Sequence, residues 1–120
     1  MAKKILVIDD EPDVVKVVTS RLEANGYEVI TANDGDAGLE KLKSEGADLI
    51  ILDVMMPRMD GYTFVKKIRA DDSIPKVPVI ILTAKDRMKD LFEIEGIKDY
   101  LVKPFDSKEL LEKVKKYLKE

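Results

Sequence analysis

Five side chains stand where apolar runs stop. Asp9 and Asp10 follow one run, Asp53 ends a second, Thr83 ends a third, and Lys103 follows a fourth. One such acid is an ordinary strand-end charge or helix cap. Three carboxylates brought together with a hydroxyl and an ammonium make a reactive set. Carboxylates ~4 Å apart repel by about 1 kcal/mol per pair in water, and by about 4 kcal/mol at an effective dielectric near 20. A hard divalent cation with oxygen ligands removes that cost. Magnesium suits best, since it takes few carboxylates and fills its octahedron with water or phosphate oxygens. Lys103 supplies a point charge and Thr83 a hydroxyl donor, both suited to a phosphoryl group. A carboxylate can itself attack phosphorus and become an aspartyl phosphate.

The elements that would gather these residues follow from the apolar pattern. Residues 4–8 (KILVI) read as a buried strand, short and β-branched. Pro12 suits the first turn of a helix running to about residue 25, with Gly26 as its stop. Residues 27–32 (YEVITA) form a second strand, and Asp34 caps a helix through about Glu45. Residues 49–52 (LIIL) are apolar throughout, as a strand buried on both faces would be. Met59, Asp60 and Gly61 open a helix carrying Phe64, Val65 and Ile68. Two prolines make 71–78 a loop before a fourth strand at 79–82 (VIIL). A short helix over 88–95 and a short strand over 100–102 follow. Asp106 and Glu109 make a capping box for a last helix bearing Leu110, Leu111, Val114 and Leu118. Alternating strands and helices predict an α/β fold: a doubly wound, five-stranded parallel sheet, flavodoxin-like, with strand order 2-1-3-4-5. Ligands of such sheets bind outside the carboxyl ends of the strands, where all five side chains fall.

Composition narrows the chemistry. The 120 residues suit one domain, read as 1–120 with no output domain. Without cysteine or histidine there is no disulfide, thiolate nucleophile, histidine phosphocarrier, histidine-ligated zinc or Ser-His-Asp triad. A net charge of -3 argues against direct nucleic-acid binding. No apolar run reaches membrane-spanning length and no signal peptide precedes the first strand, so a cytoplasmic protein is expected.

Four segments carry a family resemblance. IDDEP (8–12), LDVMMPRMDG (52–61), LTA (82–84) and DYLVKPF (99–105) occur in order over essentially the whole chain. Together they resemble the motifs of response-regulator receiver domains of two-component signalling, in the single-domain form of chemotaxis regulators. The resemblance implies Asp53 as phosphoacceptor, with Lys103 and Thr83 acting on the phosphoryl group. It implies Mg2+ held by Asp10 directly, Asp9 mainly through water, Asp53, and the backbone carbonyl of Met55. Thr83 and the aromatic Tyr100 would form the switch, and the Lys103–Pro104 bond would be cis. The phosphodonor would be a histidine kinase or histidine phosphotransfer protein. The response would be a change in the face made by the 88–95 helix, the fifth strand and the last helix, read by a protein target. Such a switch catalyses only its own phosphorylation and dephosphorylation.

Simpler readings exist for some of these residues. Plain core packing competes most strongly for Tyr100. Met55, Met56 and Met59 suit packing rather than a soft-metal site. Lys108, Lys113, Lys115, Lys116 and Lys119 read as a solvated face. On the first helix, Val14, Val15, Val17, Val18 and Leu22 spread wider than one core stripe needs, and the edge around Val14 and Val15 is read as a dock for a helical phosphodonor, with scattered surface apolars as the plainer alternative.

The stretch between Thr83 and Tyr100 is a couple of residues shorter than the family pattern, which favours a monomer or weak dimer. Met55 and Lys85, two residues beyond Asp53 and Thr83, are bulky enough to hinder an attacking water and prolong the phosphorylated state. Three other functions compete. A receiver-like interaction module working without phosphorylation would lack pocket residues that are all present. A flavin carrier needs a small polar phosphate loop where Asp9, Asp10 and Glu11 stand. An aspartyl-phosphate phosphohydrolase needs a second acid at position 55, which is Met.

Overall fold

A computed structural model describes residues 2–54, 59–83, 97 and 99–118, and among them all five predicted strands and four of the predicted helices are present. Strands β1 (Lys4–Ile8), β2 (Glu28–Ala32), β3 (Leu49–Asp53), β4 (Val79–Thr83) and β5 (Asp99–Val102) form one parallel sheet in the order β2-β1-β3-β4-β5. Among the described residues the helices are α1 (Pro12–Ala24), α2 (Gly35–Glu45), α3 (Gly61–Ala70) and α4 (Ser107–Tyr117). None of them is long and apolar enough to cross a membrane. The helix expected over 88–95, together with Met55, Met56 and Lys85, lies outside the described residues.

The central strands read as unbroken apolar runs because both faces of the sheet are covered. Ile5, Val7, Ile51, Ile80 and Leu82 pack against Val18 and Leu22 of α1 and Leu110 and Val114 of α4. Leu6, Ile8, Ile50, Leu52 and Ile81 pack on the other face against Leu42 of α2 and Phe64, Val65 and Ile68 of α3. Alternate residues of one strand thus feed two cores. Each fully buried Ile or Leu contributes roughly 1.5–3 kcal/mol by leaving water.

Three helices start on the acid the sequence offers. Asp34, Asp60 and Asp106 accept hydrogen bonds from the backbone N–H of Ala37, Thr63 and Glu109 at 2.8, 2.8 and 2.7 Å. Gly26 follows α1 at φ +89°, a conformation only glycine adopts cheaply. Three strands run one residue further than the apolar pattern predicts. β3 includes Asp53, β4 includes Thr83 and β5 begins at Asp99, because backbone pairing (Asp53 with Leu82, Thr83 with Val102, Asp99 with Ile80) continues past the hydrophobic residues.

Register sets the positions of the reactive residues. Ile8 lies opposite Leu52, which brings Asp9 beside Asp53. Thr83 lies opposite Val102, and the Lys103 N–H donates to the Thr83 carbonyl at 2.7 Å. The Lys103–Pro104 peptide is cis, as the resemblance implied.

Candidate functional site

Asp9, Asp10 and Asp53 meet at the carboxyl end of the sheet. One carboxylate oxygen of each lies within 4.8 Å of the others. Asp9 and Asp53 are buried, while Asp10 is open to solvent. Asp9 directly follows β1 and Asp53 ends β3, both strands buried on two faces, so the closeness of these two acids is built into the sheet. The Asp9 carboxylate also accepts the Glu11 N–H at 2.9 Å, which fixes its orientation at the start of α1.

Lys103 reaches into this group from the end of β5. Its Nζ lies 3.0 Å from Asp9 Oδ2, 2.9 Å from Glu11 Oε1 and 3.5 Å from Asp53 Oδ1. Burial disfavours the ammonium, but its hydrogen bonds to Glu11 and Asp9 and the charge of Asp53 outweigh that, and its pKa is pushed up to about 12. Lys103 is therefore a fixed cation at any physiological pH. Among the described residues Asp9, Glu11 and Asp53 face the Lys103 ammonium with Asp10 alongside, an excess of acid over base at the end of the sheet. Hard oxygen donors with that excess suit a divalent cation such as Mg2+.

Glu11 was not among the residues expected at the site. Its side chain is mostly exposed, and it sits at the N-cap of α1 without capping it. The IDDEP segment holds it, but only the crossing of α1 over the end of β5 brings it to Lys103, 92 residues away.

Thr83 is buried at the end of β4. Tyr100 is half-buried on β5, packs against the core shared with α2 and α3, and donates from its hydroxyl to the Ile97 carbonyl at 3.0 Å. Met55, expected to offer a carbonyl, lies outside the described residues. Val14 and Val15 separate. Val14 lines a groove of about 520 Å3 with Val17, Pro104, Phe105 and Lys103. Val15 lines another on the far side of α1 with Asp10, Thr19 and Lys41.

Residues 5–115 match the family model of the response regulator receiver domain. This chain belongs to that family. Over 121 residues it is 44% identical to the alkaline phosphatase synthesis transcriptional regulatory protein PhoP of Bacillus subtilis, covering 99% of this chain and 50% of PhoP. It spans about half the length of the curated relatives it matches. Chemotaxis response regulator CheY4 of Vibrio cholerae superposes with a TM-score of 0.91 at 35% identity, over 98% of this chain and all of that one. The receiver domain of sensor histidine kinase PA1611 from Pseudomonas aeruginosa superposes with a TM-score of 0.87 at 30% identity, over 98% of both chains, and holds a magnesium ion in its active-site cleft. The receiver fold and its two-component membership therefore agree with the sequence reading, including the strand order.

One part of the receiver departs from expectation. Lys113 and Lys116, read as part of a solvated face, reach the buried Asp99 at 3.4 and 3.1 Å, Lys113 partly covered and Lys116 still exposed. The Tyr117 hydroxyl donates to the same carboxylate. Burial works against the Asp99 charge, but Tyr117, Lys116 and Lys113 together hold its carboxyl below the ordinary value. Burial and then Asp99 push the Tyr117 phenol up to about 12. The helical spacing of 113, 116 and 117 was visible, but the acid they share comes from the strand underneath.

Proposed function

We propose that this receiver takes a phosphoryl group onto Asp53 in a Mg2+-dependent reaction and signals by changing shape. The observation that carries the reading is the meeting of Asp9, Asp10 and Asp53 within 4.8 Å around the Lys103 ammonium. The oxygen donor set fits Mg2+: Asp9, Asp10 and Asp53 would hold it, with the Met55 carbonyl as an expected further ligand. Bound there, the ion supplies positive charge to the oxygens of the transferring group.

The chain's own residues supply the rest. An Asp53 Oδ forms the new bond to phosphorus as the bond to the donor breaks, and the donor leaves with that electron pair. For a phosphohistidine the leaving atom is an imidazole nitrogen; for acetyl phosphate it is an acetate oxygen. Lys103 stands 3.5 Å from Asp53 and offers its charge to one phosphoryl oxygen. The Thr83 hydroxyl hydrogen-bonds another, and Tyr100 changes rotamer in response. The phosphorylated state is favoured by contacts only it makes. The altered face includes β5 and α4, and its reader is a protein rather than nucleic acid.

The partner on the donor side is a histidine kinase or histidine phosphotransfer protein. Its helix docks on the groove of Val14, Val17 and Phe105 beside Lys103. Val17, more than half exposed, belongs to this surface although the sequence pointed to Val14 and Val15. Val14→Ala with Val17→Ala slows transfer from a kinase but not from acetyl phosphate; equal slowing with both donors rules the dock out.

The deciding experiment is intact mass after incubation with acetyl phosphate. Wild type with Mg2+ gains one phosphoryl group of about 80 Da, the HPO3 of an added phosphate. Asp53→Asn gains none, and neither does wild type without the metal. No adduct under conditions that trap slow hydrolysis leaves the fold as an interaction module that works without phosphorylation.

A further inference from the structure

The backbone around Asp53 is held by a residue that takes no part in the chemistry. The Val54 N–H donates to the Leu82 carbonyl at 3.1 Å, and the Val54 carbonyl accepts the Gly61 N–H at 2.9 Å. Val54, the residue following Asp53, is therefore fastened by its N–H to β4 and by its carbonyl to the first residue of α3.

That second fastening requires glycine, and for a reason of space. Gly61 is buried, and a Cβ at this position would stand 2.9 Å from the Asp53 carbonyl oxygen and 3.0 Å from the Val54 Cα. Both are main-chain atoms, which cannot rotate away as a side-chain tip does. Gly35 and Gly38 are as tightly packed, but their nearest neighbours are the side chains of Met59 and Ile8, which can repack. Ordinary contact begins at 3.4 Å, so a methyl group must open the α3–β3 seam by about half an ångström.

The helix cannot take up that movement alone. Phe64, Val65 and Ile68 seat its inner face in the core with almost no exposure, and Asp60 caps its first turn. Part of the displacement falls on the end of β3, which carries Asp53. Asp9, Asp10 and Lys103 come from other strands and do not follow.

We infer that Gly61 is a positioning residue for the phosphoacceptor: its missing side chain lets α3 press against the main chain of Asp53 and set its carboxylate relative to Asp9, Asp10 and Lys103. The inference rests on the proposed Mg2+ and phosphoryl chemistry of that site. Magnesium demands near-ideal octahedral geometry, and a misplacement of about 1 Å can cost on the order of a hundredfold in rate. A shift of about half that distance therefore costs on the order of tenfold.

The test compares Gly61→Ala with Val114→Ala, which opens a core cavity under α4 away from Asp53. Three quantities are measured on the whole chain: melting temperature, Mg2+ dissociation constant from an NMR titration without any phosphodonor, and the rate of acetyl phosphate uptake. Gly61→Ala is expected to weaken Mg2+ binding and slow uptake by about tenfold each. Val114→Ala, at an equal or larger loss of melting temperature, is expected to keep both within about twofold. If the two variants change in proportion to their loss of stability, Gly61 is only a packing residue and the inference fails. Should Gly61→Ala not fold, the helix caps give the same comparison. Asp60→Ala loosens the turn that seats Gly61 and should weaken Mg2+ binding several-fold. Asp34→Ala removes a cap of the same chemistry from α2 and should not; equal effects overturn the inference. Wild type that binds no Mg2+ overturns the site reading itself, whatever the variants do.

Discussion

β5 joins two charge clusters of opposite balance. At its carboxyl end Lys103 faces Asp9, Glu11 and Asp53, with Asp10 alongside, so one ammonium serves four carboxylates. At its amino end the single carboxylate of Asp99 receives Lys113, Lys116 and Tyr117. Both clusters are partly buried, and both pair acids with lysines across distant segments. The Asp99 cluster is complete: every lone pair has a donor and the charge is more than neutralised, which ties α4 to the sheet. Among the described residues the Asp53 cluster sets four carboxylates against the single ammonium of Lys103. Satisfaction marks a structural clamp, and a built-in deficit marks a place for a cation and a phosphoryl group.

Neutralising one acid in each cluster should give opposite results. Asp99→Ala removes the one acceptor shared by two ammonium groups and a phenol and should destabilise by about 3 kcal/mol, the scale of three charge-assisted hydrogen bonds at roughly 1 kcal/mol net each. Urea unfolding measures it; a loss under about 1 kcal/mol would make the clamp a surface pair like any other. Magnesium should separate the clusters next. At a hundred times its dissociation constant it should stabilise wild type by about 2.7 kcal/mol. That gain should survive Asp99→Ala and shrink in Asp53→Asn, as thermal melts with and without the ion would register.

A smaller effect has the opposite sign. Without metal, Asp53→Asn removes one member of a repelling set and should stabilise by about 1 kcal/mol, the scale of one carboxylate pair near 4 Å. Destabilisation instead would mean that Lys103 already balances the site.

The smallest effect is a slope against pH. The folded value of Asp99 lies below its ordinary 3.8, so its contribution is full above 3.8 and is lost as pH falls through the lower folded value. Lys103 and Tyr117 act at the other end. Their folded values near 12 exceed the ordinary 10.5 and 10.0, so their contributions are full below those values and lost as pH rises through about 12. Asp99→Asn should flatten the acid limb of stability and leave the Lys103 part of the alkaline limb; an unchanged acid limb would place the titration elsewhere, for example at Asp71.

Local pattern accounts for the sheet and for most of the site. Apolar runs such as LIIL and VIIL can be satisfied only by strands covered on both faces, and helix caps at Asp34, Asp60 and Asp106 stand where local rules put them. Strand ends are local features, so Asp9, Asp10, Asp53, Thr83 and Lys103 were legible as a set before any coordinate. Relations between segments far apart in the chain come from packing alone. Glu11 joins Lys103, Asp99 draws in Lys113 and Lys116, and Gly61 presses on the Asp53 main chain because packing brings distant backbones together. A lysine at a helical surface position carries no local mark of the acid beneath it, and a glycine beside a cap carries none of the carbonyl it must clear. Periodicity reports which side of an element is apolar; the distance to the next element is set only when both cores are filled.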